Sequence, residues 1–186
     1  MEFETLQRAA EAILFAAGES IALERIAEAL EAESQQVQQA LDQLADKLAF
    51  ERRGIRILKL GENYQMVSSG EMADFVTKAL ETRKPPKLSA SQLEALTIVA
   101  YYQPATKAMV EKIRGVDSSY SISALLNKHL IEEAGRLNVP GRPIQYKTTP
   151  DFLRTFGLSG LEELPEIEKV SFAEPVAMEE PAAEEG

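Results

Sequence analysis

The chain has 186 residues, 45% of them hydrophobic, a formal net charge of -10 and no cysteine. That length holds one medium domain or two small ones, and the missing cysteines exclude disulfides and thiolate chemistry. No apolar run approaches the roughly 20 residues of a membrane span, and the acidic start Met1-Glu2-Phe3-Glu4-Thr5 is unlike a signal peptide, so a cytoplasmic protein is expected.

In chain order, Leu6, Ala10, Ile13 and Ala17 line one face of a first helix that stops at Gly18, with Phe15 on the opposite side. Leu23, Ile26, Ala27 and Leu30, then Val37, Leu41, Leu44 and Leu48, make two further helical stripes. Ile55 and Ile57, followed by Tyr64 and Met66, predict a hairpin around Gly61-Glu62-Asn63. Met72, Phe75, Val76 and Ala79 predict a closing helix. Lys84-Pro85-Pro86-Lys87 is a polyproline spacer and a domain boundary.

The plan then repeats. Ser89 and Gln92 have capping-box spacing before a helix carrying Leu93, Leu96 and Ala100. Thr106 caps a helix of Met109, Val110 and Ile113 that ends at Gly115, and Ser118 or Ser119 caps one of Ile122, Leu125, Leu126 and Leu130. Val139-Pro140-Gly141-Arg142 has the residues of a type II turn, Ile144, Tyr146 and Thr148 alternate as a strand, and Thr149-Pro150-Asp151 starts a short helix closed by Gly157. An offset of 84 residues puts Leu14-Phe15-Ala16 on Ile98-Val99-Ala100, Ile26 on Val110 and Ser34 on Ser118.

Helix-turn-helix followed by a β-hairpin is the winged-helix plan. The expected fold is therefore mainly α with small β-hairpins: two tandem winged-helix domains, residues 1–84 and 85–165, then a disordered acidic tail, residues 166–186.

Charge separates these segments. Residues 1–84 carry 10 basic and 15 acidic side chains, residues 85–160 carry 9 and 6, and residues 161–186 carry 1 and 9. Catalytic constellations do not emerge. His129 is the one histidine and cannot alone build a metal site or a Ser-His-Asp triad. The sequence has neither a Gly-Lys dipeptide nor a G-x-G-x-x-G run for phosphate binding. No enzyme, cofactor or metal is expected.

A winged-helix protein that reads DNA needs basic or amide side chains on its third helix. The second half offers Tyr120, Ser121, Ser123, Ala124, Asn127 and Lys128 there, and the first offers glutamines alongside Asp42 and Asp46. Basic residues gather instead at Lys107, Lys112, Arg114, Arg136, Arg142 and Lys147, enough for weak, salt-sensitive contact but not for specific recognition. A tandem winged-helix transcription regulator is the competing reading, and it lacks the basic recognition face it requires.

One block of residues reads Leu93-x-x-Leu96-x-Ile98-Val99-Ala100-Tyr101-x-Gln103-Pro104, then Ile113-Arg114-Gly115-Val116-x-Ser118. A second reads Pro140-Gly141-Arg142-Pro143-x-x-Tyr146-x-Thr148-Thr149-x-x-Phe152-Leu153-x-x-Phe156-Gly157-Leu158. Together they closely resemble the segregation and condensation protein B family of bacterial chromosome-partitioning subunits, over about residues 5–165 and most strongly in the second half. One departure is Lys107-Ala108-Met109, where an Arg-acidic run is commoner in the family.

The resemblance implies a non-enzymatic, cytoplasmic and nucleoid-associated subunit of a condensin-like complex. It implies a homodimer through the amino-terminal domain that holds the kleisin, segregation and condensation protein A, and through it meets an SMC ATPase, supporting chromosome condensation and partition. Phe15 is the expected dimer contact. The partner face is expected on the first helix of the second domain: at about 100° per residue, Leu93, Leu96, Thr97 and Ala100 point to the core, while Ala95, Ile98 and Tyr102 point away with Val99 and Tyr101 on the flanks. The expected partner-binding residues are Ile98, Tyr101, Tyr102, Arg114 and Arg142, the two arginines pairing with acidic residues at the rim.

Overall fold

The computed structural model describes residues 2–80 and 87–166. Most of the Lys84–Lys87 spacer and nearly all of the expected tail, residues 167–186, lie outside the described residues. The chain divides into two compact units, one of Met1–Pro86 with Leu153–Leu164, the other built on Lys87–Phe152 and rejoined at Pro165.

In the first unit α1 (Phe3–Ala17), α2 (Leu23–Leu30) and α3 (Ser34–Phe50) surround a core made of the α2 and α3 stripes read from the sequence. In α1 Leu14 is buried, while Ile13 and Ala17, expected on the core face, are half-buried. Leu6, Ala10 and Leu14 of α1 meet Val37, Ala40, Leu41, Leu44 and Leu48 of α3, with Ile26 and Ala27 of α2 beside them. Each large aliphatic side chain so buried contributes about 2 kcal/mol. Cutting fully buried Leu41 to alanine costs about 2–5 kcal/mol, because the cavity left behind collapses only partly.

The hairpin is β2 (Ile55–Leu60) and β3 (Asn63–Ser68), with Leu60 opposite Asn63 across the two-residue loop Gly61-Glu62. Gly61 lies at φ +64, the positive φ that a tight hairpin loop needs at its first position. A two-residue strand, β1 (Ile21–Ala22), pairs antiparallel with β3 and completes a sheet of order β1-β3-β2. The closing helix α4 (Ala73–Leu80) forms, but it buries none of its residues, and Phe75 is 71% exposed.

The second unit repeats the plan with α5 (Ala90–Tyr102), β4 (Ala105–Thr106), α6 (Lys107–Arg114), α7 (Ser119–Asn127), β5 (Ile131–Arg136) and β6 (Ile144–Thr148), its sheet in the matching order β4-β6-β5. Ile21 and Ala105, Leu23 and Lys107, and Leu30 and Arg114 begin or end corresponding elements, each pair 84 residues apart. The register slips afterwards because α3 has 17 residues and α7 only 9. Gly141, at φ +84, and the Arg142 N–H donating to the Val139 carbonyl at 2.9 Å make the wing turn of type II geometry.

α8 (Pro150–Phe156) starts as its sequence predicts, with the Thr149 hydroxyl accepting from the Phe152 N–H at 3.3 Å. Its end departs from the expected 85–165 boundary, since Leu153–Leu164 belongs to the first unit. The local reason is a backbone bond: the Gly61 N–H donates to the Ser159 carbonyl at 2.7 Å, and Leu153 and Leu158 line a cleft with Leu58 and Leu60 of the first sheet.

Candidate partner-binding site

α5 is the element on which the second unit is assembled, and its start is set by chemistry. The Ser89 hydroxyl accepts from the Gln92 N–H, and the Gln92 side chain accepts from the Ser89 N–H, both at 3.2 Å. This closes two of the orphan donors of the first turn. Beyond the cap the helix is apolar nearly all round, so which arc is buried is decided by its neighbours.

Those neighbours rotate α5 away from the expectation. Gln92, Ala95, Leu96, Ile98, Val99 and Ala100 are buried, whereas Leu93 is 45% exposed and Thr97 is exposed. Ala95 and Ile98, expected to point outward, lie inside. Leu93 and Thr97, expected inside, lie outside. Polar contacts accompany this rotation. Ser91 Oγ and Ser121 Oγ stand 3.1 Å apart, tying α5 to α7, and the Arg114 guanidinium of α6 reaches Ser91 Oγ at 2.6 Å. Thr97 stays outward with its hydroxyl donating to the Leu93 carbonyl at 2.9 Å.

The result is a groove of about 700 Å³ between α5 and α6. Leu93 and Thr97 form one wall, Ile98 sits at the base and Ile113 supplies α6, with Glu94 and Arg114 at one edge. Its size falls among ligand clefts of roughly 300–1,000 Å³.

Arg114 is not held out toward a partner. Its side chain is 6% exposed and donates to Glu94 Oε2 at 3.1 Å, to Ser118 Oγ at 2.8 Å and to Ser91 Oγ. It braces three segments of its own unit. Arg142 is exposed in the wing turn at φ +40, with its carbonyl accepting from Arg136 Nη1 at 3.1 Å; no wing residue lines the groove. Tyr101 and Tyr102 are half-buried, and the Tyr101 hydroxyl donates to the Pro165 carbonyl at 2.7 Å. The structure thus brings Ile98 and Arg114 to one groove, puts Tyr101 farther along the Leu93–Thr97 stripe, and leaves Arg142 elsewhere. Leu93, Thr97 and Ile113, not among the expected partner-binding residues, also line this groove. Their signal was present, since Leu93, Thr97 and Tyr101 recur every four residues.

Other charges are also used internally. Lys107 pairs with Glu111 at 3.4 Å and Asp117 at 3.8 Å, and Lys147 pairs with Glu132 at 3.2 Å. Hydrogen bonds from Ser119 hold the Asp117 carboxyl below its ordinary range, with the Lys107 ammonium adding to the effect. In place of a serine hydroxyl, it is the Asp117 carboxylate that accepts from the Ser119 N–H, at 3.2 Å, where α7 begins. In the first unit Phe15 projects from α1 at 78% exposure, opposite the buried Leu6, Ala10 and Leu14.

The family model for segregation and condensation complex subunit ScpB matches residues 8–167. The chain belongs to this family. It is 47% identical over 161 residues to segregation and condensation protein B of Caldanaerobacter subterraneus subsp. tengcongensis, covering 87% of this chain and 96% of that one. It is 42% identical over 160 residues to the protein of the same name from Clostridium tetani, covering 86% and 85%. A solved ScpB N-terminal domain dimer, complexed with an ScpA peptide, is 28% identical over 41% of this chain and 96% of its own, with a TM-score of 0.40. The family's match spans both winged-helix units.

Proposed function

We propose that this chain is a non-enzymatic scaffold subunit of a condensin-like SMC–kleisin complex, acting in chromosome segregation and condensation. It pairs with a second copy through the first unit, with Phe15 in the contact, and uses the α5–α6 face of the second unit to hold a helix of the kleisin. The SMC ATPase is reached through that kleisin, and hydrolysis belongs to the ATPase. The observation that carries this reading is family membership across residues 8–167; an exposed Leu93 beside Ile98 and Ile113 supports the choice of face, because amphipathic helices seat their apolar side in such grooves.

DNA contact is secondary. Three of the six basic residues gathered in the second half, Lys107, Arg114 and Lys147, are committed to acidic partners within the chain, so few charges remain to displace counterions from phosphate. Affinity capture from cell extract tests the proposal: a kleisin and an SMC ATPase co-purify at physiological salt. Recovery of neither, together with a gel-shift that identifies a preferred operator at nanomolar protein, would make the chain a transcription regulator instead.

A further inference from the structure

The first unit's sheet is open along β2. Its order is β1-β3-β2, so β3 is paired on both sides and β2 on one. Leu60 lies opposite Asn63 at the two-residue loop, with Leu58 opposite Gln65 and Arg56 opposite Val67. Alternation in an antiparallel ladder turns the backbone groups of Leu60, Leu58 and Arg56 toward β3 and those of Ile57 and Lys59 away from it. Among the described residues no backbone hydrogen bond fills that outer side.

A cleft of about 360 Å³ runs along this edge, wholly within the first unit. Every β2 residue from Arg56 to Leu60 lines it. Successive side chains alternate between the faces of a strand, so the cleft follows the edge rather than covering one face. Asp42 and Ala45 of α3 form one wall, and residues of the 153–159 stretch form the other. Its charge is selective. Arg56, Lys59 and Arg154 stand against one carboxylate, Asp42, which already accepts from the Tyr64 hydroxyl at 3.1 Å. Lys59 Nζ lies 6.0 Å from the centre of the Tyr64 ring. Cations on an edge strand repel the same edge of a second copy, and they attract a strand that carries acid.

We propose that β2 accepts an additional strand, an extended acidic segment of a partner polypeptide. Its backbone bonds to the outward N–H and C=O groups of Ile57 and Lys59, and its carboxylates face Arg56 and Arg154. In such strand addition the main-chain bonds supply affinity and the flanking side chains supply choice. Five β2 residues span about 17 Å, so four or five residues of the segment lie along the cleft. The site belongs to the first unit and does not depend on the kleisin reading of the α5–α6 groove.

The test titrates the full chain with the synthetic peptide acetyl-Thr-Glu-Val-Glu-Val-Glu-Thr-amide and with the same peptide carrying lysine for each glutamate. Backbone amide hydrogen exchange is followed by NMR. The acidic peptide is expected to bind with a dissociation constant of about 1 mM or tighter, and the lysine peptide at least about tenfold more weakly. The acidic peptide slows exchange at Ile57 and Lys59, while Arg56 and Leu58, whose N–H groups already face β3, change little. Arg56 and Lys59 are both exposed, so an Arg56→Glu/Lys59→Glu variant keeps the fold, checked by unchanged exchange at Leu41, and reverses the preference between the peptides. No detectable binding of the acidic peptide, equal binding of the two, or binding without protection at Ile57 and Lys59 overturns the proposal. So does an unreversed preference in the folded variant. Protection that rises with protein concentration in the absence of peptide would also overturn it, and would assign the edge to a second copy.

Discussion

Arg114 and Glu94 pair at 3.1 Å across the α5–α6 edge, and the same guanidinium also donates to Ser91 and Ser118. Glu94 is 61% exposed, so its charge adds little in water. The weight lies in the nearly buried guanidinium and its two hydroxyl partners, because bonds to a charged group are stronger than neutral ones. Arg114→Ala should lower unfolding stability by about 2 kcal/mol, read from urea denaturation, and Arg114→Lys should not restore it, since an ammonium cannot reproduce the fork. A partner-facing arginine would lose binding and keep its stability.

Tyr64 ties the first unit's hairpin to α3 by donating to Asp42 Oδ1 at 3.1 Å. Burial, then the neighbouring Asp42 charge, raises its hydroxyl pKa well above the ordinary 10.0. A folded-state pKa above the unfolded one means the contribution is whole below about pH 10 and drains away as pH climbs toward the folded value. Burial raises Tyr146 in the same direction in the second unit. Tyr64→Phe should cost about 1 kcal/mol at pH 7 and flatten the fall in stability between pH 9 and about 11, measured by urea titrations at a series of pH values. An unchanged alkaline slope would remove Tyr64 from that account.

Phe15 is 78% exposed on a helix whose other face is core. Replacing it with aspartate should leave the monomer's stability within about 0.5 kcal/mol and raise the dimer dissociation constant at least about tenfold, roughly 1.4 kcal/mol. Sedimentation equilibrium of the full chain reads both species. A wild-type chain that is monomeric at tens of micromolar, or a variant that dimerises equally well, would move the contact away from α1.

The helical stripes of α2 and α3 were legible because each buries one continuous face, and period alone defines such a face; in α1 the apolar residues Ile13 and Leu14 are adjacent, and it is Leu14 that is buried. So were the caps at Ser89, Thr106 and Thr149, where a hydroxyl meets the orphan donors of a first turn. β1 and β4 were not, because two residues are too few to show alternation, although Ile21-Ala22 and Ala105-Thr106 stand at the same offset as the helices. The site was half legible. A helix such as α5 with apolar residues on every side does not show which arc is buried, because its rotation depends on packing and on contacts such as Ser91 with Ser121 and Arg114, between residues 23 and 30 positions apart. Arg114 looked like a partner's anchor because sequence shows charge without showing that three neighbours use it.

That rotation changes which substitution separates fold from function. Ile98 is 8% exposed, so Ile98→Asp places an unpaired carboxylate among apolar groups and should destabilise the second unit by more than about 3 kcal/mol. A loss of binding in that variant reports unfolding and says nothing of the groove.

Leu93→Asp avoids this, because Leu93 is 45% exposed and lines the groove without closing the core. The decisive measurement is calorimetric titration of the full-length chain and this variant with the kleisin subunit of the same organism. The account predicts that the wild type binds at micromolar concentration or tighter, that Leu93→Asp weakens binding by about thirtyfold, close to the ~2 kcal/mol of an anchor residue, and that both proteins melt at the same temperature. No detectable binding by the wild type, or equal binding by a folded Leu93→Asp, would contradict it.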